Sequence, residues 1–133
     1  MNKMNVIMVF DKDKNNLLMC KREKNPYKGL YNMVGGKIES DDSLSEAYRE
    51  LYEESGIKES DINLIHFMNM TYHLWNIDLE IYYGVLNNDV ELVEELNKLE
   101  WLSIEENFFD STRFAGNGNI GHILECIKRE MEE

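Results

Sequence analysis

Apolar and polar positions along the chain mark out seven ordered segments. Val6-Ile7-Met8-Val9-Phe10 is an unbroken apolar run and predicts a buried strand. Asp13-Lys14-Asn15-Asn16 carries turn chemistry, so Leu17–Lys21 predicts the returning strand of a hairpin. Residues 22–34 mix charge with Pro26 and Gly29 and predict a loop that ends in the apolar step Met33-Val34, punctuated by Gly35-Gly36. From Ser43 to Ser55, Leu44, Ala47, Tyr48 and Leu51 recur at three- and four-residue steps and predict a helix. Ser43-Leu-Ser-Glu46 fits a capping box, and Gly56 suits the position just past the helix. Ile62–Tyr72, Asp78–Leu86 and Leu99–Ile104 predict three further strands. The acidic connection Asn87–Lys98 has room for a short helical turn at Val90–Leu96. A last helix follows from Ile120, Ile123, Leu124, Ile127 and Met131, with Asn119 as its N-cap. The sum is a mixed β-sheet with two main helices, α+β in class.

Composition narrows what such a fold can do. The chain has 133 residues, which predicts a single domain over 1–133. At 43% hydrophobic and 11% aromatic it can bury a real core. Fourteen Lys and Arg stand against 26 Asp and Glu, a net charge of −12. That balance speaks against a nucleic-acid polymer as partner, because backbone binding needs basic side chains to displace counterions. A small anionic substrate remains compatible if a metal supplies positive charge. No apolar run approaches the roughly 18–20 residues of a membrane span. Met4–Phe10 is too short for a secretory segment and runs into Asp11-Lys12-Asp13. Cys20 and Cys126 make neither a metal spacing nor a disulfide framework. A reduced, cytoplasmic protein without a membrane partner is expected.

The chemistry concentrates on the first helix. At about 100° per residue, Glu46, Glu50, Glu53 and Glu54 share one arc beside the apolar stripe of Leu44, Ala47 and Leu51. Like charges at these spacings cost a few tenths of a kcal/mol per pair. The last three also sit where the helix dipole disfavours anions. A hard divalent cation would account for the arrangement. A solvated acidic face is the bland alternative, with Glu46 serving only as the capping-box partner of Ser43. Gly35-Gly36, at fixed spacing before this helix, allows close backbone approach and favours the metal.

Gly35 through Ile57, GGKIESDDSLSEAYRELYEESGI, resembles the Nudix box, the signature of the Nudix hydrolases. Counted from Gly35, the glycine, Arg49-Glu50, Leu51, Glu53-Glu54, Gly56 and Ile57 all fall in frame, while Asp41 stands where the pattern has Glu. Counted from Gly36, the loop is one residue short. The resemblance implies an α/β/α sandwich that hydrolyses a diphosphate linked to another moiety. It implies Mg²⁺ (or Mn²⁺) held by Gly35 through its carbonyl and by Glu50, Glu53 and Glu54, with Arg49 orienting the carboxylates. Glu53 or Glu54 would take the proton of the attacking water. Glu95, ahead of the strand around Trp101, is the candidate for a further ligand, with Glu94 next. Arg22, preceded by Lys21, would hold a phosphate.

Specificity must come from outside the box. Leu30–Lys37 resembles the stretch before the box in the oxidised-purine nucleoside triphosphatases, where an Asn at the place of Asn32 bonds the base. Asn117 and Asn119 fall where those enzymes place other base contacts, Phe114 offers a stacking face, and Lys37 a further charge. Turn, cap and core roles are the plain alternatives for these residues. The expected activity is thus hydrolysis of a nucleoside triphosphate, such as 8-oxo-dGTP, to monophosphate and pyrophosphate. ADP-ribose, a nucleotide sugar or a dinucleoside polyphosphate is the alternative substrate, and a non-catalytic nucleotide-binding module the alternative class. A homodimer is compatible with the resemblance. Tyr72, Trp75, Tyr82, Tyr83 and Trp101 read as core or sheet-surface aromatics.

Overall fold

The computed structural model describes residues 1–95 and 97–132. Its elements are β1 (Asn2–Phe10), β2 (Asn16–Lys21), β3 (Tyr31–Asn32), α1 (Ser43–Ser55), β4 (Ile65–Tyr72), β5 (Ile77–Val85), β6 (Lys98–Ser103) and α2 (Asn119–Glu132). The apolar run in β1 is continuous because both of its faces are covered. Ile7 and Val9 pack with Ala47 and Leu51 of α1, while Met8 and Phe10 pack with Ile120, Ile123 and Leu124 of α2. Successive side chains of a strand point to opposite faces, so one run of five residues feeds two cores. Each such side chain, once fully buried, contributes about 1.5–3 kcal/mol. The result is a mixed sheet between two helices.

Strand order is β3-β2-β1-β5-β4, with β6 added to β2. β1 runs parallel to β5 along its whole length and antiparallel to β2, with Phe10 opposite Leu17. Nearer its start, β1 is flanked by the chain that follows β3, through bridges Ile7–Val34 and Met4–Lys37. This pairing lays the two glycines along the sheet beside α1. Asn5 N–H donates to the Gly36 carbonyl at 2.8 Å, and Ile7 N–H to that of Val34 at 2.8 Å.

Three local expectations change. The α1 cap is Asp42, whose side chain accepts the Ser45 N–H at 3.2 Å. Ser43 is thereby the first helical residue, and its hydroxyl donates to Glu80 instead. The capping box with Glu46 does not form. Asn119 is likewise the first residue of α2, and its amide donates to the Tyr72 hydroxyl. No helical turn occupies 90–95, and Leu96 lies outside the described residues. Gly56 ends α1 as expected, left-handed at φ 79°, with its N–H on the Tyr52 carbonyl. Among the described residues, no helix is long and apolar enough to cross a membrane.

Candidate active site

Arg49 gathers three carboxylates that would otherwise repel one another. Its Nε donates to Glu46 Oε2 at 2.5 Å, one terminal nitrogen to Glu53 at 3.0 Å and the other to Glu50 at 3.1 Å. Glu46, only 5% exposed, also accepts the Glu39 N–H. Arg49 holds Glu46 below the usual carboxylate range. Glu46 is therefore a brace for Arg49 and for the loop.

Glu54 turns the other way, and its Oε2 accepts the Gly35 N–H at 2.8 Å. Burial pushes its carboxyl up to about 7, opposed by that N–H and by the nearby Arg22 charge. Burial raises Glu50 as well. Both glycines are dictated by close approach. A Cβ at Gly35 would lie 2.1 Å from the Asn5 carbonyl oxygen, and one at Gly36 would lie 2.7 Å from the Glu50 carboxylate. Asn5 completes the brace by accepting the Gly36 N–H at 2.9 Å.

Among the described residues, no three acidic, His or Cys side chains form a ready-made metal cluster. Arg49 and the Gly35 amide occupy the carboxylates instead. The donor set still fits a hard divalent cation. It is all oxygen, and it contains two carboxyls whose burial leaves their charge poorly compensated. Glu95 shares an open depression with Glu53, bordered by Tyr52, Gly56 and Val93 and not by Gly35. Glu94 instead accepts the Leu99 N–H at 2.7 Å.

A second feature lies on the α2 side of the sheet. An apolar cavity of about 210 Å³ is lined by Asn32, Met33, Tyr72, Trp75, Ala115 and Asn119, among others. Two of the residues expected to read a base, 87 positions apart in the chain, therefore meet in one place. Asn32 Oδ1 accepts the Met33 N–H at 2.8 Å, so its NH₂ is the group left to donate. Asn119 donates its NH₂ to Tyr72 at 2.5 Å, so its oxygen is the group left to accept.

The other expected contacts fall elsewhere. Phe114 is 1% exposed and packs between Tyr31 and Phe108, with ring centroids 5.9 and 4.9 Å away. It is core, drawn in because Arg113 and Ala115 pair with the backbone of Tyr31. Asn117 is an exposed residue with φ 54° between two glycines and does not line the cavity. Lys37 is exposed beside β1 and lines neither this cavity nor the acidic face. The aromatics at the cavity are Tyr27, Tyr72 and Trp75, the last 57% exposed at the tip of the β4–β5 hairpin. Their only signal in the sequence was a Trp beside the turn residue Asn76, which an ordinary hairpin also offers.

The chain belongs to the Nudix family: the NUDIX domain matches residues 1–120. Family and fold together make it a hydrolase acting on phosphoric anhydrides, a class whose members generally use divalent metal ions. An Ap4A hydrolase from C. elegans, in a binary complex, superposes with a TM-score of 0.76 at 16% identity, covering 97% of this chain and 98% of that one. The NUDIX domain of Shewanella oneidensis NrtR, complexed with ADP ribose, gives 0.72 at 13% identity over 97% and 87%. A MutT protein from Methanosarcina mazei Go1 gives 0.69 at 23% identity over 99% and 96%. No significant match is found among curated protein sequences.

Proposed function

We propose that this Nudix hydrolase is a nucleoside triphosphate pyrophosphohydrolase that releases monophosphate and pyrophosphate, with oxidised purine triphosphates such as 8-oxo-dGTP as its preferred substrates. The observation that carries this reading is the meeting of Asn32 and Asn119 in one apolar cavity. A free amide donor and a free amide acceptor suit the edge of a purine, and Trp75 and Tyr72 offer faces for its ring. Asn32 is joined to Gly35 by only two residues, so a base held there brings its phosphates toward the acidic face.

Glu50, Glu53, Glu54 and the Gly35 carbonyl would hold Mg²⁺ or Mn²⁺. Bound there, the cation would neutralise phosphate charge and make a coordinated water more acidic. Arg49 fixes the carboxylates at their spacing. A carboxylate oxygen of Glu53 or Glu54 takes the proton of the attacking water. Arg22 supplies a guanidinium for phosphate oxygens on the side of Glu54.

The test is a panel of dGTP, 8-oxo-dGTP, other triphosphates, ADP-ribose and a dinucleoside polyphosphate with Mg²⁺, with Glu53→Gln as control. Pyrophosphate released fastest from the oxidised purine, and lost in the control, is the expected result. Turnover confined to ADP-ribose and other linked diphosphates would overturn it.

A further inference from the structure

Asn5 is the buried polar side chain of β1, 1% exposed, at a strand position that packing alone would fill with an apolar residue. Its Nδ2 has no hydrogen-bond partner among the described residues, and an amide N–H buried unpaired is costly. The other end of the side chain is engaged. Oδ1 accepts the Gly36 N–H at 2.9 Å, while the Asn5 backbone N–H donates to the Gly36 carbonyl at 2.8 Å. Residue 5 thus grips Gly36 at both of its backbone polar groups.

The consequence falls on Gly35. The Gly36 N–H and the Gly35 carbonyl belong to one planar peptide, and among the described residues only Asn25–Pro26 is cis. In a trans peptide these two groups point in opposite directions, so drawing the N–H onto Asn5 turns the carbonyl away from β1. The Gly35 carbonyl itself accepts no backbone hydrogen bond among the described residues. The same two glycines touch the carboxylates: the Gly35 N–H donates to Glu54, and a Cβ on Gly36 would lie 2.7 Å from Glu50. With no Cβ on either side, this peptide plane could turn over at little steric cost. A side-chain acceptor on β1 is what holds it one way round.

The neighbouring strand accounts for an amide in place of a carboxylate. Glu80 on β5 is the register partner of Asn5, so both side chains leave the same face of the sheet. It is 5% exposed and already accepts the Ser43 and Tyr82 hydroxyls. A second buried carboxylate beside it would be repelled, whereas an amide offers the acceptor without the charge.

We infer that Asn5 is a positioning residue: it fixes the Gly35–Gly36 peptide so that the Gly35 carbonyl faces the cation site of Glu50, Glu53 and Glu54. Asn5 touches neither cation nor substrate. The inference rests on the proposed ligand set, and metal binding measured without nucleotide tells the two apart.

Mn²⁺ titrated into the full chain, followed by the electron paramagnetic resonance of the free ion, tests it. Asn5→Leu removes the acceptor at similar volume and should weaken Mn²⁺ by roughly tenfold or more, as loss of a group supporting a ligand does. Should that chain not fold, Asn5→Ala carries the same expectation. Asn5→Asp keeps the acceptor, so it should bind Mn²⁺ at least as tightly as the unaltered chain while melting at a lower temperature. Ile81→Val, a buried change on the α2 face, should lower the melting temperature and leave Mn²⁺ affinity unchanged. Unaltered affinity in Asn5→Leu and Asn5→Ala would overturn the inference, as would an equal loss in Asn5→Asp or in Ile81→Val. Glu54→Gln marks the ligand set. Mn²⁺ lost there but kept in Asn5→Leu would overturn the inference alone, and Mn²⁺ kept in Glu54→Gln would overturn the ligand set and the inference with it.

Discussion

The two sides of the sheet solve opposite problems with the same layering. Toward α1, carboxylates are packed against a buried stripe, and one arginine with two backbone amides keeps them in place. Toward α2, the wall is apolar, and its two amides have each spent one hydrogen bond locally, on Met33 and on Tyr72. The contacts that hold the carboxylates lie within one stretch of chain, residues 35–54, with Asn5 reaching in from β1 to the Gly36 N–H. The second side draws on β1, β3, the β4–β5 hairpin and α2. The acidic face is largely local, and the apolar cavity is assembled from distant segments.

That contrast can be broken most sharply at the carboxylates. Glu53→Gln or Glu54→Gln should cut kcat by on the order of 10³-fold with the thermal transition retained, in a metal-dependent nucleotide assay. A loss below about threefold would place the reaction centre elsewhere. Next in size is Gly35→Ala. Its Cβ would strike the Asn5 carbonyl at 2.1 Å, so the fold should lose about 2–3 kcal/mol in denaturant titration.

The α2 side should respond in KM rather than in kcat. Asn32→Leu and Asn119→Leu should each raise KM by roughly tenfold, about 1.4 kcal/mol, with kcat nearly unchanged. An equal fall in kcat would mean that the cavity positions the reaction as well as the base. The smallest effect tests the helix start. Asp42→Ala should cost about 1 kcal/mol of stability, whereas the same change at Ser45, whose backbone N–H the cap uses, should cost less.

Legibility in the sequence follows the same division. The α1 helix spans Ser43–Ser55, the bounds its periodicity predicts, because a local period and a terminating glycine are both written in consecutive residues. The N-cap was misplaced by one because Asp42 and Ser43 are both competent caps, and only the position of Glu80 on β5 draws the serine away. Phe114 looked available for stacking, yet pairing of its neighbours with Tyr31 turns it inward. Tyr27 gives no signal and Trp75 only its place beside Asn76, since each meets the apolar cavity through residues far off in the chain.

β3 is only two residues long, and its side chains stand on different cavities: Tyr31 on one lined by charged residues of both signs at the ends of β2 and β6, Asn32 on the apolar one. Residues 27, 28 and 75 surround these cavities from exposed positions that carry little of the core. A substitution at these rim positions should therefore cost the fold little, whereas one within Gly35–Ile57 meets the brace of Asn5, Glu46 and Arg49. The surface that can change most freely and the stretch that can change least thus lie only a few residues apart in the chain.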